Sequence, residues 1–218
     1  MSWFLANYPT VLAQLGQHIW LSLVPVAIAL VLSIPLGWLA NRTTLLRAVL
    51  VPSAALLYTI PSIALFVLLP GLIGTRVGDP INVVIALTIY TVALLVRSVA
   101  DALAAVPALV VAAATAMGFR PGRRFVSVEL PLAVPVLIAG LRVATVSNIS
   151  LVSVGALIGI GGLGASLTEG FQRNTPPQLV VGVLAIVLLA LVADAALVAI
   201  GRVITPWVHA GAAGGRTT

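Results

Sequence analysis

Apolar residues fall into five long runs along this chain, and the short segments between them carry most of its charge. No charged residue precedes Arg42, and the apolar core of that stretch runs from about His18 to Ala40. A helix of about 20 mostly apolar residues spans a bilayer, so this run predicts a first spanning helix. Trp20 and Trp38 lie eighteen residues apart. That is about 27 Å of helix, the separation of two interfacial anchors at opposite membrane surfaces. A second run extends from Ala48 to Thr75, a third from Asp79 to Arg97, and a fourth from about Pro131 into the glycine-rich stretch Gly155 to Gly164. The fifth runs from about Leu179 to Gly201. The pattern predicts an all-α membrane protein with about five transmembrane helices. Thr10 to Gln17 read as a short interfacial helix ahead of the first span. His18 reads as an interfacial residue, because no second histidine lies near it to complete a metal site. A removable signal peptide is not expected, since no basic segment or cleavage site frames the first apolar run.

Composition sharpens this picture. Hydrophobic residues make up 61% of the 218 and charged residues 7%, against about a quarter charged in soluble domains, which excludes a water-soluble globule. With no cysteine, disulfides, thiol nucleophiles and thiolate metal sites are excluded. All eleven basic residues are arginine, and with five acids they give a formal charge of +6. A basic excess can mark nucleic-acid binding. Here the arginines stand between apolar runs, so the lipid bilayer is the expected partner and nucleic acid is not. Arg42, Arg47, Arg97, Arg120, Arg123, Arg124, Arg202 and Arg216 collect on one side of the predicted spans. Arg76 and Arg173 fall on the other, and Arg142 lies inside the fourth span. Eight against two places the first set in the cytoplasm, the N-terminus outside and the C-terminus inside.

Ionisable groups within a span are costly and need a reason. Arg142 lies eleven residues past Pro131, and Asp194 lies eight residues before Arg202 on the fifth span. The helical rise puts both at similar depth, so the two are expected to pair or to share a polar partner. The alternative is that Arg142 snorkels to headgroups while Asp194 faces a wet cleft or a subunit interface. The second span contains Pro52, Pro61 and Pro70, with Tyr58, Thr59 and Ser62 between them. Irregular backbone at membrane depth survives only when buried in protein or facing a cavity. Tyr58, Pro61 and Ser62 are therefore candidate pathway or gate residues, with Ser147 and Asn148 of the fourth span as the opposite wall. An ordinary kinked packing helix is the alternative. Gly161 and Gly162 join the candidates, because Gly155 to Gly164 is too glycine-dense for a helix interior and reads as a turn or re-entrant segment near the outer surface.

The connection from about residue 100 to 131 is long and not a polar linker. Ala100 to Met117 is expected to be a helix with Pro107 near its first turns, ended by Gly118 in the left-handed conformation that glycine adopts cheaply. A turn at Phe119-Arg120-Pro121-Gly122 and a second short element from Arg123 to Leu130 follow, and Pro131 suits the first turn of the next helix. This knob could lie on lipid with its arginines at the headgroups, or dock on a protein through Phe119 and Phe125. Its spacing favours docking. Ala113-Ala114, Gly118, nine residues, then Val128-Glu129-Leu130-Pro131 resembles the signature loop of ABC importer permeases. That pattern begins Glu-Ala-Ala, and Ala112 stands in place of the glutamate. Glu129 or Asp101 is the candidate substitute for its contact with an arginine.

Other stretches resemble the glycine betaine/carnitine/choline branch of those permeases. They are His18 with Pro35-Leu36-Gly37, Tyr58-Thr59-Ile60-Pro61-Ser62-Ile63-Ala64-Leu65, Ser147-Asn148-Ile149, and Ile158 to Gly164. The resemblance covers about residues 10 to 205 and implies a type I ABC importer permease fold. Residues 1–17 would be an external interfacial segment, 18–205 the transmembrane permease domain with its coupling loop at about 100–131, and 206–218 a flexible cytoplasmic tail. The resemblance further implies a multi-pass subunit of a bacterial inner membrane that imports a quaternary-amine osmoprotectant such as glycine betaine, carnitine or choline. Its partners would be an ATP-binding ABC subunit, a second permease subunit of the same or a paralogous kind, and an extracytoplasmic substrate-binding protein. The coupling residues would be Ala112, Ala113, Ala114, Gly118, Phe119, Arg120, Arg123, Arg124, Glu129, Leu130 and Pro131.

ATP and Mg would bind the partner ATPase and no cofactor this chain, which has no phosphate-binding loop with lysine and is expected not to be an enzyme. An aromatic cage for quaternary ammonium is expected on the binding protein, since aromatics make up only 6% here. The alternatives are a methionine or other amino-acid permease and, in a different class, a stand-alone secondary transporter. The latter would need its coupling-ion site around Asp194, and no inverted repeat is evident.

Overall fold

A computed structural model describes residues 2–208, which are almost wholly helical, with no strand among them. The uncharged N-terminal stretch forms one helix, α1 (Ser2–Ala40), which runs through Pro9, Pro25 and Pro35 without a break. At about 1.5 Å per residue it is about 58 Å long, well beyond the roughly 30 Å of a hydrocarbon core. The segment expected to be a separate interfacial helix is thus continuous with the first span. Four helices are long and apolar enough to cross a membrane, and a bent pair makes a fifth candidate. That pair is α2 (Thr44–Leu57) and α3 (Ser62–Ile73), which meet at 96°. The second span is therefore broken, not kinked. Pro52 and Pro70 lie inside the two halves, whereas Pro61 stands at the break and starts α3 in an extended conformation. At the N-cap, proline's lack of an N–H costs the helix no hydrogen bond.

The central helix is α4 (Pro80–Ala104), which packs against α1, α2 and α3 and against α7 (Leu130–Gly155). Close approach is what makes it central. A Cβ on Gly37 would collide with Val99, and one on Gly140 with Ser98, so small residues let α1 and α7 pack tightly on α4. Beyond Ala104 the chain turns, and α5 (Ala108–Ala116) begins after Pro107. The helix expected over Ala100 to Met117 is thus two helices, because proline disfavours helical backbone in the residue before it. The expected short element after the turn is not separate either. α6 (Pro121–Arg124) passes through a π-helical turn, Phe125–Glu129, into α7. The resulting rod, Pro121–Ile158, is 38 residues long. A 3₁₀ turn, Ala156–Ile158, ends it, α8 (Leu163–Gln172) follows, and α9 (Pro176–Ile204) returns across the membrane. No part of the most apolar window of α9 is buried, which fits a surface facing lipid or another subunit rather than water. Arg216 and residues 209–218 of the expected tail lie outside the described residues.

Candidate functional site

The loop between the third and fourth spans forms a compact knob, closed by two local devices. The first ends α5. Gly118 is left-handed at φ 83°, its N–H donates to Thr115 O at 3.0 Å, and the Phe119 N–H donates to Ala114 O at 3.1 Å. This Schellman arrangement satisfies carbonyls that the helix end would leave orphaned. The second is Arg124, whose Nε donates to Glu129 Oε1 at 2.5 Å and whose Nη1 donates to Thr115 Oγ1 at 2.7 Å. One guanidinium thus ties α5 to the base of the fourth span. Of the two acids that could stand in for the missing glutamate at Ala112, Glu129 makes the contact within the loop. Asp101 instead pairs with Arg47 at 2.6 Å and Arg97 at 3.7 Å.

With both acids of this region engaged, the knob presents cations and apolar groups. Arg120 and Arg123 are exposed, and the Arg123 guanidinium lies 5.2 Å above the Phe119 ring. Leu109 and Met117 are 81% and 71% exposed, Ala112 and Ala113 are exposed as well, and Ala114 is buried. Leu130 and Pro131 continue the rod. Phe125 does not face outward as an anchor. It packs on Trp38, 5.3 Å between rings, and the Arg42 guanidinium lies 3.9 Å from the same tryptophan ring.

The candidate pathway residues divide into two groups. Tyr58, Ser147 and Asn148 meet at one narrow crevice with Tyr90 and Thr91. Tyr58 and Tyr90 are edge to face at 5.6 Å, and the Tyr90 hydroxyl donates to the Ile60 carbonyl freed by the broken span. Asn148 is 2% exposed, accepts from Thr91 Oγ1 at 3.0 Å and donates to Ser22 O at 3.3 Å. It therefore acts in the core beneath the crevice rather than as an open wall. Pro61 and Ser62 open α3 beside it.

Gly161 and Gly162 lie elsewhere, against α1. The Gly162 N–H donates to Gln17 Oε1 at 3.0 Å, and the Leu163 N–H donates to His18 Nδ1 at 3.2 Å. His18 is wholly buried, and its Nε2 donates to Ile149 O at 2.9 Å. The interfacial reading of His18 is thus corrected: both ring nitrogens are used, one accepting and one donating, as in neutral imidazole. Ser166 Oγ adds a bond to Gln14 Oε1 at 2.6 Å. Gln14, Gln17 and His18 recur three and four apart, so one helix face holds the whole glycine-rich turn. That spacing was visible in the sequence.

Arg142 and Asp194 come together across α7 and α9. Nε donates to Oδ1 at 2.6 Å and Nη2 to Oδ2 at 2.7 Å, a parallel two-bond pairing of fixed geometry. Both side chains remain partly open, at 40% and 31% exposure. They line a cavity of about 470 Å³ with Ala139, Val143, Val146 and Ser147. A second cavity of about 320 Å³ has Tyr58, Arg97 and Ser98 as its polar lining.

Comparisons with known proteins agree with this architecture. Residues 29–209 match the family of binding-protein-dependent transport system inner membrane components. The osmoprotectant import permease protein OsmW of Salmonella typhimurium is 38% identical over 193 residues, which cover 87% of this chain and 89% of that one. The glycine betaine/carnitine/choline transport system permease protein OpuCB of Bacillus subtilis is 26% identical, over 94% of each chain. Among solved structures, the inward-facing MetNI methionine ABC transporter superposes with a TM-score of 0.78 at 23% identity, covering 87% of this chain and 94% of that one. At that identity the likeness concerns the fold alone.

Proposed function

This chain belongs to the family of binding-protein-dependent transport system inner membrane components, and from that premise we propose that it is the permease subunit of an ATP-driven importer for quaternary-amine osmoprotectants such as glycine betaine, carnitine or choline. The observation that carries the reading is the braced knob. Arg124 stiffens a surface of exposed Leu109, Met117, Arg120 and Arg123 at the end of a 38-residue rod. A partner ATPase binds ATP and Mg, and its closure pushes on that knob. Because α6, the π turn and α7 are continuous, the push reaches Ser147 and Asn148 at the crevice without a flexible joint. At the far end His18 couples the same rod to α1 and to the outer turn. Two permease subunits enclose the route, and an external binding protein delivers the substrate. The substrate class follows the relatives named for osmoprotectants and for glycine betaine, carnitine and choline.

Expression of the chain with its ATPase and binding protein, followed by uptake competition between glycine betaine, carnitine, choline and methionine, tests this. The expected result is ATP-dependent uptake of a quaternary amine that methionine does not inhibit. Isolation of the chain free of any ATPase, with ion-driven transport by the lone protein, would overturn it.

A further inference from the structure

The importer reading leaves open where, inside the permease, a substrate is recognised. We propose that the cavity beside Arg142 and Asp194 is a binding station for zwitterions, in which Arg142 holds a carboxylate and Asp194 faces a quaternary ammonium. The proposal rests on the importer reading and narrows its substrate class to molecules that carry both charges.

Four observations converge on this cavity. It is an open groove of about 470 Å³, large enough for a small molecule, and mostly apolar with a few placed polar groups, as small-molecule sites are. Its polar lining is Arg142, Asp194 and Ser147. The ion pair has unspent capacity. Arg142 Nη1 has no acceptor and Asp194 no second donor among the described residues, and both side chains are about a third exposed. Finally, the cavity is not isolated. Ser147 is shared with the crevice under Tyr58 and Tyr90, and Val143 is shared with the cavity that reaches Arg97. The pair therefore sits next to both the crevice at the broken span and the cavity at Arg97.

Charge balance then selects the ligand. Arg142 and Asp194 together are neutral, and a zwitterion laid antiparallel across them adds no net charge to an apolar setting. Each of its charges meets an opposite one without separating the pair. A simple cation such as choline is attracted to Asp194 and repelled by Arg142, with nothing of its own to offer the guanidinium.

The permease–ATPase complex in lipid nanodiscs, without binding protein, can be probed by saturation-transfer NMR with glycine betaine and choline. A strong glycine betaine signal, a choline signal at least about fivefold weaker, and loss of the glycine betaine signal in R142Q/D194N are the expected results. Removing both charges leaves neither one unpaired, so the double variant is expected to assemble. R142Q alone should shift the preference towards choline. That ratio does not depend on how much protein has folded. An unchanged glycine betaine signal in R142Q/D194N, or equal signals from the two ligands in the unmodified complex, would sink the site while leaving the importer reading intact. Absence of any quaternary-amine uptake by the full importer would refute the importer reading and the site with it.

Discussion

His18 shows how a single residue can hold two distant parts of a membrane protein. It donates to a carbonyl inside α7 and accepts from the first amide of α8, an N–H that the helix start would otherwise leave unsatisfied. The turn it holds needs Gly162 for two reasons. The backbone there is left-handed at φ 80°, and a Cβ would sit 3.1 Å from His18 Nδ1. Gly162→Ala is therefore expected to destabilise the protein by about 1–3 kcal/mol through backbone strain, with displacement of His18 in addition. A fall in the thermal unfolding midpoint of the purified complex would register this, and an unchanged midpoint would contradict it. His18→Leu should be worse than His18→Gln, because leucine can neither accept nor donate.

Two devices act at the level of elements. The break between α2 and α3 exposes the Ile60 carbonyl, and the Tyr90 hydroxyl caps it, which makes the break a built feature of the fold rather than a proline accident. In the knob, Arg124 is the brace on which the proposed transmission rests. Arg124→Ala removes its contacts to Glu129 and Thr115, charge-assisted bonds of about 1.5–3 kcal/mol each before solvent screening. The expected outcome is normal membrane level, a several-fold drop in uptake, and ATP hydrolysis that no longer responds to loaded binding protein. Lysine at 124 should rescue only partly, since an ammonium lacks the guanidinium fork that reaches both partners. Wild-type coupling in Arg124→Ala would show that the brace has no part in transmission.

Across the whole molecule, orientation is the property that charge distribution controls. The absence of cysteine allows single cysteines to report it without background. A cysteine at Arg120 should react with a membrane-impermeant thiol reagent only after the cytoplasmic face is opened, and one at Arg173 should react in intact cells. The reverse pattern would invert the topology. The same scale shows why α9 remains so apolar while unburied: in a bilayer an exposed leucine carries no hydration penalty, so surface and core are composed alike.

Much of this protein was legible in one dimension. Span number, the depth match of Arg142 and Asp194 and the register from Gly118 to Pro131 are sequential properties, because helical rise and bilayer thickness are constants of the medium. The left-handed Gly118 belongs with them, since the need for a residue without Cβ is local. Tertiary structure alone decided which polar groups meet. The sequence could not show that Gln17 and His18 reach Gly162 and Leu163, nearly 150 positions away. Nor could it show that Glu129 rather than Asp101 takes the loop arginine. Three prolines in α1 left it whole, while the Pro61 region broke the second span at 96°. At the break the freed Ile60 carbonyl is capped by the Tyr90 hydroxyl, thirty positions away, and a partner that distant is supplied only by the fold.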